Sequence, residues 1–385
     1  MVQQLLREWP PGFGGVERVA HELGNRWGGE TFSFDVQGQG RIAQDSLPVT
    51  YPRIRLRSIR VFSRLYLPLP SRSLFHLLVS SEPLHGHLPS PGILFLLVLA
   101  RLLRHRRPIS AHWHCFLDPT SDFKGRLFGF YQWIALKFLP CLSAVVTTSP
   151  VMSTQLSQSR FSPPNVLVLP CCLSESQEQV LMSLPLPLHK EGAPLRVLFI
   201  GRLDTYKRLD WLMESLADLR SPWRLSVVGD GPKRDRFEHL ANQLFHGQLQ
   251  QDSKLVQFYG CLPELEKQEL IADSDVLVLP SDRSNEAFGI VQLEAMAAGR
   301  VALAFDLPRS GMGWVGRLPG LPWSQTPKGL VEVLQRLADN PALREQLSAQ
   351  SRERYCLFFS RRVWLNRLDQ LGYPLGTGKV CISAE

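Results

Sequence analysis

Val276-Leu-Val-Leu279-Pro280-Ser281-Asp-Arg-Ser-Asn-Glu286-Ala-Phe288-Gly289-Ile290-Val-Gln-Leu-Glu294-Ala-Met-Ala-Ala-Gly299-Arg-Val301-Ala-Leu-Ala304 is the stretch that decides the fold. Val276 to Leu279 is short and wholly apolar, the composition of a strand buried on both faces of a parallel sheet. Pro280 to Phe288 is a polar loop. Gly289 to Ala298 reads as a helix stopped by Gly299, and Val301 to Phe305 as the next strand. Glu286 therefore hangs off the carboxyl end of a strand, and Glu294 lies one to two turns into the following helix. Ligands of open α/β sheets sit in the crevice outside those strand ends, so both carboxylates are expected there.

Working outward, the same alternation spans the second half of the chain, with strands expected at 196–200, 224–228, 255–259, 276–279 and 301–305 and helices between them. Strands alternating with helices make a parallel sheet, and right-handed crossovers put every carboxyl end on one edge. Gly201-Arg202-Leu-Asp-Thr-Tyr-Lys207 follows the first strand. Two cations at a helix N-terminus, Arg202 with forked donors and Lys207 as a point charge, suit a diphosphate; the plain alternative is surface charge. Gly229-Asp-Gly231-Pro232 follows the second strand. It has Arg234 where a dinucleotide fingerprint has its third glycine, and it sits on the wrong strand, so NAD binding is rejected.

A length of 385 residues predicts two domains. Residues 1–173 form the first, 174–194 a Pro- and Ser-rich linker, 195–350 the second, and 351–385 a helical return and tail. Hydrophobic content of 44% and charged content of 20% describe an ordinary soluble globular protein. The seven cysteines are odd in number and form no C-x-x-C pair, which argues for a reducing, cytoplasmic setting and against a disulfide framework or zinc site. No secretory signal follows Met1, and the apolar run Ile93 to Leu103 is too short to span a bilayer. The net charge of +8 belongs to the first half. Arg53, Arg55, Arg57, Arg60, Arg64, Arg72, Arg101, Arg104, Arg106 and Arg107 face one acid, Glu82, between Tyr51 and Ser110.

In that half, Leu5-Leu6, the loop Pro10 to Gly15 and the Val16, Val19, Ala20, Leu23 spacing read as strand, glycine loop and amphipathic helix. A glycine loop entering a helix offers free N–H groups and a positive dipole end to an anion. Phe32 to Val36, Ile54 to Ile59 and Phe75 to Val79 are expected as strands, Ile93 to Arg104 as a helix, and Ile109 to His114 as a strand ending in His112-Trp113-His114. Zinc at this histidine pair is disfavoured because no third ligand is evident, and a satisfied core histidine is the plain reading of His114. Lys124 to Leu139 interleaves basic and aromatic residues. It reads as a core helix with basic ends, with a membrane-surface or base-stacking helix as the alternatives. Ala144 to Ser149 and Val166 to Leu169 are the last strands expected in this half.

Glu286-Ala-Phe-Gly-Ile-Val-Gln-Leu-Glu294 resembles the E-x7-E signature of retaining GT-B glycosyltransferases, the family numbered four. Pro280-Ser281 and Glu294-Ala-Met-Ala-Ala-Gly299 share that resemblance. So does Gly14-Gly15-Val-Glu-Arg18, similar to the family's first loop near the donor diphosphate. The likeness is densest over 195–300. The segment Pro308-Arg-Ser-Gly-Met-Gly-Trp314 departs from it, lacking the usual acidic residue. The resemblance implies two Rossmann-like domains facing a central cleft, with a C-terminal helix crossing back to the first. It also implies site roles. Arg202 and Lys207 neutralise the departing diphosphate, and Glu286 holds the donor sugar and faces its anomeric carbon. His114, the best match to the family histidine, reaches toward that sugar. Glu294 accepts the ribose hydroxyls, and Gly14, Gly15 and the amides of Phe288, Gly289 and Ile290 approach phosphate.

The expected activity is a retaining, metal-independent transfer of a sugar from a nucleotide-diphosphate donor, UDP- or GDP-linked, to a glycan, lipid or small-molecule acceptor. No bound cofactor and no nucleic acid are expected. Hydrolysis by paired carboxylates is disfavoured, because a hydrolase has no use for a cationic diphosphate cradle. The alternative from another class is a catalytically idle protein of the same fold, binding an anionic membrane surface or polymer through its arginine-rich half. Peripheral membrane attachment is compatible with either.

Overall fold

The computed structural model describes residues 1–10, 14–34, 48–62, 65–118, 120, 123–245 and 254–372. The expectations for 11–13, 35–36 and 373–385 lie outside these. The chain divides into two compact units, Met1–Cys171 with Leu365–Glu385, and Cys172–Trp364.

The first unit carries strands β1 (Gln3–Leu6), β2 (Thr31–Phe34), β3 (Arg53–Leu56), β4 (Ser58–Phe62), β5 (Leu65–Pro68), β6 (Leu84–Leu88), β7 (Ile109–Trp113), β8 (Ala144–Thr147) and β9 (Val166–Val168). Seven of them form a sheet in the order β3-β2-β1-β6-β7-β8-β9, every neighbouring pair parallel; β4 and β5 form a separate antiparallel pair. Strand order reverses between β1 and β6, so the loops after these two strands flank the crevice where such sheets bind ligands. Asp369, near the chain's return into this unit, pairs with Arg26 at 2.7 Å.

Two expectations fail here. Phe75 to Val79 is not a strand but the last part of the helix Arg72–Val79. Ser71 caps it by accepting a hydrogen bond from the Leu74 amide at 3.2 Å, while Leu77 and Leu78 point inward and Phe75 outward. The Ile54–Ile59 run is also broken, since Arg57 separates β3 from β4. Two strands lie where loops are expected: β5, and β6, whose Leu-His-Gly-His-Leu is wholly buried although three of its five residues are not apolar. Its glycine is required by contact, because a Cβ on Gly86 would come 2.6 Å from Leu97 of the helix Pro91–Leu103.

The second unit follows its expected alternation, with β10 (Leu195–Ile200), β11 (Trp223–Val228), β12 (Lys254–Gly260), β13 (Val276–Leu279) and β14 (Val301–Ala304). All pairs are parallel, in the order β12-β11-β10-β13-β14. Val276 to Leu279 are at most 1% exposed, and burying each such side chain stabilises by roughly 1.5–3 kcal/mol. Trp223 and Phe245 pack edge to face at 5.0 Å in the same core. Asp275, just before β13, fastens the start of β10: its carboxylate accepts from the Arg196 amide at 2.8 Å and from the Arg196 guanidinium at 2.6 Å, with His189 at 3.3 Å. At the start of the second unit, residues 174–194 contain the helix Glu175–Ser183, closed by a capping box of Ser174 and Gln177.

Candidate active site

The order of the second sheet explains which side chains meet. Chain growth runs from β10 outward through β11 to β12, then returns to the other side of β10 with β13. The loops after β10 and β13 therefore flank the topological switch, and Arg202 and Lys207 lie in one while Glu286 lies in the other. Lys207 Nζ and Glu286 Oε2 form a direct ion pair there, largely sheltered from solvent. The loops are also tied by backbone, with the Asp282 amide donating to the Tyr206 carbonyl at 3.1 Å and Arg208 pairing with Asp282 at 3.2 Å. Burial opposes the Lys207 charge, but the Glu286 carboxylate and the Tyr206 phenol hold its pKa above the ordinary value.

Tyr206 locates Arg202 relative to this pair. Its phenol, pushed up by burial, feels Lys207, Glu286, Asp204 and Arg202 together. Arg202 is half-exposed and has Asp204 at 3.9 Å, a loose contact that leaves its guanidinium available to an anion. Arg208 adopts the left-handed conformation (φ 49°) at the N-cap of the helix Leu209–Ala217, a strained turn held by its bonds to Asp210 and Asp282. The Gly229-Asp-Gly231 sequence has a packing role. At Gly229 (φ 128°) an added Cβ would strike the Gly201 carbonyl oxygen, so the β11 loop lies directly on the cation-bearing loop.

Glu286 is braced from below. Ser310 Oγ donates to its carbonyl oxygen, and the Gly311 amide donates to that of Ala287 at 2.7 Å. The segment 308–314 thus buttresses the acidic loop. Gly289 (φ 72°) then turns the chain into the helix Ile290–Ala297. Among the described residues the amides of Phe288, Gly289 and Ile290 donate to no protein acceptor, leaving consecutive N–H groups at a helix N-terminus beside a cationic loop. The Phe288 side chain itself is buried, edge-on to Phe359 at 5.9 Å.

Glu294 does not join the Lys207–Glu286 pair in any direct contact. It is buried one turn into the helix, with Lys267 Nζ 2.9 Å from Oε2, an ion contact and not a well-directed hydrogen bond. Lys267 also holds Glu264 at 3.0 Å. Burial works against the Lys267 charge, and the two carboxylates raise its pKa in spite of that. Nothing in the spacing of the sequence marks Lys267 or Ser310 as part of the site.

In the first unit, Gly14 and Gly15 sit where expected, at the N-cap and first position of the helix Gly15–Trp27. The buried Glu17 side chain folds back over this end, and a Cβ on Gly14 would collide with its carboxylate. His114 is buried just beyond β7 and is not alone. β6 and β7 are paired in register, so His85, His87, His112 and His114 all lie together. No third ligand is evident for His112 and His114 in the sequence, but the structure sets His85 and His87 beside them. The signal was a repeated H-x-H, at 85–87 and 112–114. A metal centre does not follow from it. Ligand atoms of His85, His87 and His112 come within 4.8 Å of one another, but His87 has both nitrogens engaged, Nδ1 with His114 at 2.9 Å and Nε2 with Gln4 at 3.1 Å. The rings of His87 and His112 lie within 7° of parallel with centroids 5.9 Å apart. Burial first, and then their neighbours, keep His85, His87 and His112 well below the ordinary imidazole pKa, and burial pushes His114 down to about 3.

Comparison with known proteins bears on the family and the fold. Residues 187–354 match the glycosyl transferases group 1 family, and residues 14–172 match the glycosyl transferase 4-like domain. An uncharacterized glycosyltransferase of Methanocaldococcus jannaschii is 37% identical over 105 residues, covering 27% of this chain and 25% of that protein. The D-inositol 3-phosphate glycosyltransferase of Nocardioides sp. is 29% identical over 178 residues, 42% of this chain and 38% of its own. The chain thus spans between a quarter and two fifths of the length of these curated relatives. The crystal structure of Anabaena HepE in complex with UDP and glucose superposes with a TM-score of 0.69 at 15% identity, covering 97% of this chain and 99% of that one, a likeness of fold.

Proposed function

The chain belongs to the glycosyl transferases group 1 family, and from that premise we propose that it moves a sugar from a nucleotide-diphosphate donor to an acceptor with retention of configuration and without a metal ion. The observation that carries this reading is the Lys207–Glu286 pair across the switch between β10 and β13, with the open amides of Phe288, Gly289 and Ile290 on the same loop. In the bound state Lys207 and Arg202 stabilise the charge that develops on the departing diphosphate, the work a metal ion does elsewhere. The amides 288–290 add donors to phosphate. Glu286, released from Lys207, holds the donor-sugar hydroxyls and faces the anomeric carbon. Glu294 gives Oε2 to Lys267 and keeps Oε1 for the ribose hydroxyls. His114 contacts the donor sugar, and Gly14 and Gly15 approach the phosphates.

The test is turnover. UDP- and GDP-sugars are screened by thermal stabilisation, and release of the nucleotide diphosphate is then followed with Arg202→Ala and Lys207→Ala. Each variant loses transfer on the order of a hundredfold while remaining folded. Undiminished transfer in either overturns the assignment.

A specific feature of the first unit favours an anionic lipid surface as a second partner. The helix Phe123–Phe138 is not a core helix with basic ends: it buries Tyr131, Gln132 and Ala135 but exposes Phe123, Phe130, Trp133 and Ile134. Phe130 stacks on Trp133, and Lys137 lies 3.6 Å over the Trp133 ring, the mix of aromatic and cation that settles at a membrane interface. Among the described residues no helix is long and apolar enough to cross a membrane. Co-sedimentation with anionic vesicles that is lost in Trp133→Glu supports attachment to an anionic membrane surface, expected on its cytoplasmic face; no co-sedimentation removes it.

A further inference from the structure

The buried histidines between β6 and β7 include one hydrogen-bonded chain whose direction is fixed at every link. It begins at Gln4. The amide nitrogen of Gln4 lies 3.1 Å from the Ala20 carbonyl oxygen, which can only accept, so the amide oxygen is the end that faces His87. That oxygen also only accepts, and His87 therefore carries its proton on Nε2, 3.1 Å away. A neutral imidazole has one N–H, which leaves Nδ1 of His87 as a bare lone pair. His87 Nδ1 is 2.9 Å from His114 Nε2, and the contact is a hydrogen bond only when His114 donates. The proton of neutral His114 is thus placed on Nε2. Its other nitrogen, Nδ1, is a lone pair that bonds to no protein group among the described residues.

We infer that Gln4 and His87 are positioning residues that lock His114 as its Nε2–H tautomer and so present Nδ1 to the substrate purely as a hydrogen-bond acceptor. The sugar contact rests on the assignment of His114 made above; the tautomer does not. An acceptor nitrogen takes a hydrogen bond from a sugar hydroxyl. It cannot take one from a carboxylate, whose lone pairs it would face. The donor recognised here is accordingly a neutral sugar and not a uronic acid, a discrimination set by residues two layers from the ligand. His112 stacks on His114 at 4.7 Å and holds the ring plane without sharing its proton.

The experiment uses the full chain with ¹⁵N-labelled histidine and long-range ¹H–¹⁵N correlation at neutral pH, without substrate. The expected spectrum has His114 protonated at Nε2 and bare at Nδ1. In Gln4→Leu and His87→Leu the lock is lost and Nδ1–H signal grows in; in His87→Gln, whose amide oxygen can accept, the wild-type tautomer returns. In transfer assays His87→Leu raises KM for the donor by roughly tenfold with a smaller change in kcat, and narrows the preference for UDP-glucose over UDP-glucuronate. An Nδ1–H proton on wild-type His114, or a tautomer and donor KM unmoved in both leucine variants, overturns the inference. If a leucine variant fails to fold, the wild-type spectrum still decides. Because that spectrum needs no turnover, its outcome is separate from that of the Arg202 and Lys207 variants, which test the transferase reading.

Discussion

Lys207 and Glu286 stand 79 positions apart in the chain and meet as an ion pair where the order of the second sheet reverses. Neither residue is placed by its own element's core. Each rides a loop leaving the carboxyl end of a strand, and the pairing of β10 with β13 brings the loops together. The lysine's charge is committed to the carboxylate. A diphosphate must therefore compete with Glu286 for Lys207. Glu286→Gln removes the competitor, so UDP alone binds about tenfold more tightly, while transfer falls at least a hundredfold because the donor sugar loses its acceptor. Calorimetry beside a turnover assay separates the two effects; weaker UDP binding in this variant would contradict the competition.

Lys267 and Glu294 form the buried counterpart of that pair. Breaking a buried pair leaves one charge uncompensated. Lys267→Met is expected to cost roughly 3 kcal/mol, and adding Glu294→Leu to recover much of it. Denaturant unfolding of the two variants measures this. Equal stability of Lys267→Met and wild type would mean the pair is solvated.

Gly289 is held at φ 72°, where a Cβ would run into Leu279 of β13. Gly289→Ala should lose at least 1–2 kcal/mol and displace the amides of Phe288 and Ile290. Its nucleotide affinity should fall with its melting temperature, and an alanine variant with both intact would show that the turn has slack.

Asp275 gives the second unit an acid-sensitive fastening. Burial alone would raise its pKa, but hydrogen bonds from His189 and Arg196 outweigh that and hold it down to about 2, below the usual 3.8. A carboxylate depressed in the folded state stabilises above its unfolded pKa, and that contribution is lost as pH falls from about 4 toward 2. It amounts to about 2 kcal/mol. Asp275→Asn should lower stability by that amount at neutral pH and flatten the acid limb of the pH–stability curve. An unchanged acid limb would place the sensitivity elsewhere.

The second unit was legible because its strands are continuous apolar runs whose loops carry charged residues in sequence order. The first unit was legible only where its chemistry is equally plain. β6 escaped because two histidines and a glycine replace the aliphatic residues a buried strand normally shows; their polarity is satisfied by Gln4, Ser110, His112 and His114, which no local pattern announces. Phe75 to Val79 has the composition of a strand, and a single capping serine makes it a helix. The exposed aromatic face of Phe123–Phe138 was misread because aromatic residues are usually buried. Lys267 and Ser310 belong to the site through tertiary contacts alone.

The switch-point loops of the second unit are expected to bind a nucleotide diphosphate. Titration calorimetry of UDP and of GDP against the wild-type chain, Arg202→Met and Lys207→Met measures this affinity. The expected result is saturable binding of one of the two nucleotides by the wild type, weakened at least tenfold in each variant. Binding of neither nucleotide, or binding that both variants retain in full, would contradict the cradle.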